Sequence, residues 1–291
     1  MKPLLNILLN GTTFCIMWII ASLMINSIMA VTPAETNNPG SALLLMWLCC
    51  VIEAAVIHYY VLHIRYEKLP RLVIIFIALF SIQFVFTQIE SWYYIDQQTL
   101  PKEIVLSTVL SGLITSLAFS LYVGYRYPTS ATRAIAPRLK DLIPTLAILG
   151  ILVYPLIYFM AGYLIAWQWE SLRIYYTGSS EMSTFLQIME SNFSQGIVTF
   201  QVARGLLWTV IGFLILRSLR SLSWQYQGLI LGLLFSGLMS AQLLIPNPYM
   251  PTDIRMVHLL ETGSSNLLWG YLMALGWHLT IEKTRLSTTT G

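Results

Sequence analysis

The sequence predicts an all-α fold: a polytopic membrane bundle of about eight transmembrane helices, with one further amphipathic helix lying in the interface. Three observations carry this reading. The 291 residues are 56% hydrophobic and 10% charged, with a mean hydropathy of +0.69. A soluble domain carries about 25% charged residues, so this chain cannot cover a water-facing surface. The apolar residues fall in continuous runs of the roughly 20 residues that a bilayer requires, not in the alternating segments of about 10 that mark a membrane β-barrel. Finally, the basic residues gather in alternate loops.

The spans run over about Leu4–Met29, Ser41–Leu62, Leu72–Tyr94, Ile104–Tyr125, Leu142–Trp167, Ile197–Leu216, Gln225–Leu244 and Met256–Leu279. An even count puts both ends of the chain on one side. Twelve of the 16 basic residues fall on that side: Lys2, Arg65, Lys68, Arg71, Arg126, Arg133, Arg138, Lys140, Arg217, Arg220, Lys283 and Arg285. The positive-inside rule makes it cytoplasmic. The expected location is a prokaryotic plasma or inner membrane. The net charge of +3 is this loop bias, so no nucleic-acid partner is implied. The whole of 1–291 reads as a single transmembrane domain.

The first span is longer than the 7–15 apolar residues of a secretory signal. Asn6, Asn10 and Asn26 punctuate it, and it is expected to stay as a helix. In the second span, Glu53 lies about mid-membrane, either as a proton carrier or hydrogen-bonded to a neighbouring helix. Cys15, Cys49 and Cys50 read as small apolar side chains, and no CxxC or Cys/His spacing suggests zinc. The third span sets Gln83, Thr87, Glu90 and Tyr94 within about 60° of one another. On the fourth, Ser107, Ser111, Thr115 and Ser120 run its length and read as helix packing. Pro144 and Pro155 should bend the fifth. In the linker after it, "YLIAWQWESLRIYYTG" carries the Tyr and Trp that settle at headgroup depth. Residues 181–195 then form the interfacial helix, with Met182, Phe185, Ile188, Met189 and Phe193 at helical spacing.

The eighth span holds the densest polarity, in "RMVHLLETGSSNLLWGYL". At about 100° per residue, Arg255, His258, Glu261, Thr262, Ser265, Asn266 and Trp269 share an arc of roughly 140°. Val257, Leu260, Leu267, Leu268 and Tyr271 form the opposite, lipid-facing side. Arg204 sits near the outer end of the sixth span. An intramembrane charge costs at least roughly 2.5–3.5 kcal/mol. Glu53, Glu90, Arg204, Arg255, His258 and Glu261, with Gln83, Ser265 and Asn266, are therefore the candidate lining of one polar pocket in the outer half. Below Gln83 and Trp269 the polar track stops, so a pocket closed toward the cytoplasm is expected rather than a pore.

His258 and Glu261, completed by Glu90 or Glu53, have the residue types and helix spacing of a zinc or iron site. The alternative is a stabilising network in which Arg204 and Arg255 neutralise Glu90 and Glu261. His63 and His278 share a depth that would suit haem, but interface positions explain both. No HExxH, GxSxG, P-loop or GxGxxG occurs, so no motif requires a cofactor. Three functions fit: binding or transport of a small solute or ion; a membrane-embedded hydrolase or transferase, metal-dependent or not, acting on lipid or peptide; and a structural or accessory subunit. The first is the working reading. The bilayer is the surroundings, and a small solute, ion or lipid is the partner.

Overall fold

The computed structural model describes residues 2–32, 38–94, 100–127 and 139–289. It is 86% helical, with no strand among the described residues. Among the described residues, seven helices are long and apolar enough to span a membrane: Pro3–Met29, Pro39–His63, Leu69–Tyr93, Lys102–Arg126, Lys140–Gln168, Ile197–Ser218 and Trp224–Leu244. The chain is an all-α, multi-pass membrane protein. The expected eighth span lies inside a 38-residue helix, Thr252–Thr289, that is not one of the seven. His258, Glu261 and Asn266 dilute the apolar character of its N-terminal turns. The basic residues Arg133 and Arg138, and linker positions 33–37 and 95–99, lie outside the described residues.

The chain divides into two compact units. The first is Met1–Thr132 with Leu233–Arg255, and the second is Arg133–Gly232 with Met256–Gly291. The first contains α1 (Lys2–Met29), α2 (Pro39–His63), α3 (Lys68–Leu79), a π-helical segment (Phe80–Val85), α4 (Phe86–Tyr93) and α5 (Lys102–Arg126). Asn38 caps α2 by accepting from the Ser41 amide at 3.2 Å, and Pro39 follows, where a missing N–H costs nothing. α1 packs against both α2 and α5. Phe14 meets Phe119 at a ring distance of 4.7 Å, and Trp18 meets Phe84 edge-on at 5.4 Å. Gly112 lets α5 approach Phe84 so closely that any Cβ there would clash with the ring.

The second unit contains α6 (Leu139–Ala147), a second π-helical segment (Ile148–Val153), α7 (Tyr154–Leu164), α8 (Glu170–Thr177), α9 (Phe185–Ser194) and α10 (Ile197–Ser218). α11 (Trp224–Ser240) and α12 (Thr252–Thr289) supply residues to both units. Pro144 lies inside α6 and Pro155 opens α7, bracketing the π segment. Pro155 has no N–H to return to the preceding turn, and the ladder widens beside it. The interfacial helix expected over 181–195 begins later, at Phe185. Thr184 and Gln187 make reciprocal side-chain to backbone bonds that fix its start there. α8 was expected only as an aromatic-rich stretch. It ends at Gly178, whose φ of 73° gives the left-handed turn that stops the helix.

Candidate functional site

Between the C-terminal part of α1 and the N-terminal part of α5, the first unit holds a cavity of about 240 Å³. Trp18, Ser22 and Asn26 line it from α1, Ser107, Thr108 and Ser111 from α5, and the turn at 246–249 completes the wall. Among the described residues, no charged side chain lines it. The hydroxyls of α5 give their protons to their own helix. Ser107 donates to the Ile104 carbonyl at 3.0 Å, Thr108 to the same oxygen at 2.7 Å, and Ser111 to the Thr108 carbonyl at 3.1 Å. A hydroxyl whose proton is committed still offers oxygen lone pairs. The α5 wall is therefore rich in acceptors.

The turn across the cavity mouth is held by two devices. Asn247 accepts from the Tyr249 and Met250 amides at 3.1 and 3.0 Å. Arg255, 3% exposed, donates to the Leu243 and Ile245 carbonyls at 2.8 and 2.9 Å and to the Thr252 hydroxyl at 2.9 Å. Those bonds answer why a helix entering a membrane begins with an arginine. Its fork closes the chain reversal between α11 and α12.

The other expected site residues are distributed over both units. Glu53, Gln83 and Glu90 belong to the first, as does Arg255; Arg204, His258, Glu261, Ser265 and Asn266 belong to the second. Glu53 and Gln83 are fully buried, and the Glu53 carboxyl lies beside the Cys49 thiol and the Gln83 amide. Gln83 sits in the π segment, where its backbone carbonyl accepts from Thr87 at 2.7 Å and from the Gln242 side chain at 3.4 Å. Glu90 is half-buried on α4. Neither Glu53, Gln83 nor Glu90 lines the cavity.

In the second unit, Arg204 is buried and donates to Gln201 on its own helix at 3.5 Å. Asn266 is buried, and half-buried Ser265 bonds back to the Thr262 carbonyl at 3.4 Å. His258 Nδ1 lies 2.8 Å from Glu261 Oε2, and His258 Nε2 lies 2.9 Å from the Tyr176 hydroxyl of α8. Of the opposite face, Leu260, Leu267, Leu268 and Tyr271 are exposed as expected, whereas Val257 is buried. For a metal, His258 and Glu261 are neighbours in one unit and Glu90 belongs to the other. Among the described residues no group of three or more His, Cys, Asp or Glu side chains is arranged to hold a metal ion.

A second polar cluster in the first unit was legible only as isolated asparagines. Fully buried Asn10 donates to the Tyr127 hydroxyl at 3.2 Å and accepts from Tyr122 at 3.3 Å. Arg126 donates to Tyr122 at 2.5 Å and to Asn6 at 3.2 Å. These bonds tie α1 to the C-terminal end of α5. Trp18, Ser22, Asn26, Thr108 and Tyr249 also escaped sequence reasoning as cavity residues. The serine track of α5 was the available signal, and it reads equally well as packing. No protein-family model, no curated protein and no solved structure matches this chain.

Proposed function

We propose that this membrane protein binds a small neutral solute that carries several O–H or N–H groups, in the hydroxyl-lined cavity between α1 and α5. The observation behind this reading is the cavity itself: about 240 Å³, acceptor-rich on α5 and, among the described residues, lined by no charged side chain. At roughly 30 Å³ per water, that space suits a solute displacing about eight waters, the scale of a four-carbon polyol. A nucleotide, an oligosaccharide or an acyl chain is too large. An anion would meet oxygen lone pairs along α5, and among the described lining residues neither charge sign finds a countercharge. The linkers at this end of the first unit lie on the side that the basic-loop bias makes extracytoplasmic, so the solute would enter from outside.

Erythritol is the test probe, and succinate the charged control. Thermal unfolding of the protein in lipid nanodiscs should show a saturable stabilisation by erythritol and none by succinate. A ligand at a hundred times its Kd stabilises by about 2.7 kcal/mol. Ser22→Leu places a larger apolar side chain in the cavity from a membrane helix that tolerates leucine, and should abolish the saturable part. An erythritol response unchanged by Ser22→Leu, or no saturable response, would refute the reading.

A further inference from the structure

The second unit contains a hydrogen-bonded row of three side chains that solute binding does not use. Glu261 and His258 lie three residues apart on α12 and so share a face. Tyr176 comes from the last turn of α8. The distances are 2.8 Å from Glu261 Oε2 to His258 Nδ1 and 2.9 Å from His258 Nε2 to the Tyr176 hydroxyl. An ionised carboxylate only accepts, so it selects the tautomer with the proton on Nδ1. In a neutral imidazole that leaves Nε2 as the acceptor, and the phenol as the donor. Nucleophile, base and orienting acid then stand in the order that hydroxyl nucleophiles use.

Exposure is graded along the row. The Glu261 and His258 side chains are 13% and 22% exposed, and Tyr176 is 43% exposed. The acid and base are sheltered, and the hydroxyl-bearing residue is open to a reactant. α8 is held in place by Arg173, which donates to the Trp167 carbonyl at 2.8 Å and to the Ser180 carbonyl at 2.9 Å. Trp169, Ile174 and Tyr175 are exposed on the same short segment. Such aromatic residues favour headgroup depth, where the esters of glycerolipids lie.

We propose that Tyr176 is a nucleophile for carboxylic esters, with His258 as its general base and Glu261 as the positioning acid. The Tyr176 oxygen bonds to the ester carbonyl carbon while Nε2 takes the phenol proton. The bond from that carbon to the alkoxy oxygen then breaks, and Nε2 returns the proton to the departing alkoxide. The products are O-acyl-tyrosine and an alcohol. Water, deprotonated by the same Nε2, releases the acyl group as a carboxylic acid and restores the phenol. No oxidant, reductant or metal enters the balance. This proposal is independent of the cavity in the first unit.

The test uses the full chain in nanodiscs, p-nitrophenyl acetate and peptide mass spectrometry. Tyr175 is the internal control: it precedes Tyr176 and is 38% exposed, so access alone would acetylate both. The expected result is acetylation of Tyr176 at least about tenfold faster than Tyr175, with His258→Gln removing that difference, as general base catalysis typically contributes about 10²–10⁴-fold. Glu261→Gln should lower the Tyr176 rate while leaving Tyr175 unchanged. Equal acetylation of the two tyrosines in the wild-type protein would overturn the proposal even if neither variant folds. So would a Tyr176 rate indifferent to a folded His258→Gln.

Discussion

Arg255→Gln is the sharpest perturbation of the cavity wall. The guanidinium is 3% exposed and makes three hydrogen bonds at 2.8–2.9 Å, two of them to the carbonyls of Leu243 and Ile245. Nη1 holds both carbonyls and Nη2 holds Thr252. Glutamine is shorter, so its amide nitrogen does not reach the two carbonyls from the same backbone position, and it has no second nitrogen for Thr252. An unsatisfied carbonyl costs about 1–3 kcal/mol when buried. Leu243 and Ile245 are half-buried and water can recover part of that, so the net loss should be about 3 kcal/mol. At roughly 2–4 °C per kcal/mol for a chain of this order of size, the apparent Tm should fall by about 6 °C or more. The turn at 246–249 loosens with it, and erythritol affinity should drop at least about tenfold, or 1.4 kcal/mol. Tryptophan fluorescence during heating in nanodiscs reads both effects. Arg255→Lys keeps the charge but loses the planar fork, and should fall between the two. If Arg255→Gln unfolds within about 1 °C of wild type, the fork does not hold the turn and the reasoning from its geometry fails.

Two further predictions concern the first unit. Asn10→Leu removes the residue that joins the Tyr122 and Tyr127 hydroxyls, and should cost about 1–3 kcal/mol in equilibrium unfolding; a neutral result would mean those phenols find other partners. Gly112→Val drives a branched side chain into Phe84 and should sharply cut the yield of folded protein, with Phe84→Ala in the same chain restoring part of it; failure of the double variant to exceed the single one would show that this contact is not what Gly112 serves.

Much of the fold was open to sequence reasoning because membranes enforce it. Hydrocarbon demands long apolar helices, and seven of them are plain in the composition of each run. The eighth is ambiguous for the reason it drew notice: His258, Glu261 and Asn266 make it too polar to stand beside the others. The His258–Glu261 contact follows from helical spacing alone. Tyr176 does not, because it reaches His258 from a short helix far away in sequence, and no periodicity predicts that approach. The π segment at Ile148–Val153 is announced by Pro144 and Pro155. The one at Phe80–Val85 has no proline or glycine, and nothing in "FSIQFV" marks it. The cavity was the hardest feature to see. Its hydroxyls sit on a stripe that is equally good for packing, and only the tertiary arrangement shows which turns of α5 meet a neighbour and which meet empty space.

The central claim is a solute cavity that opens toward the outside, and cysteine accessibility addresses it most directly. Native Cys15, Cys49 and Cys50 are at most 4% exposed and should give a low background. Ser22→Cys and Thr108→Cys each place a thiol on the cavity wall. A charged, membrane-impermeant methanethiosulfonate applied outside intact cells should modify both, and saturating erythritol should slow both reactions. Modification only from the cytoplasmic side would contradict the orientation. Thiols that react from outside at a rate erythritol does not change would contradict solute binding in the cavity.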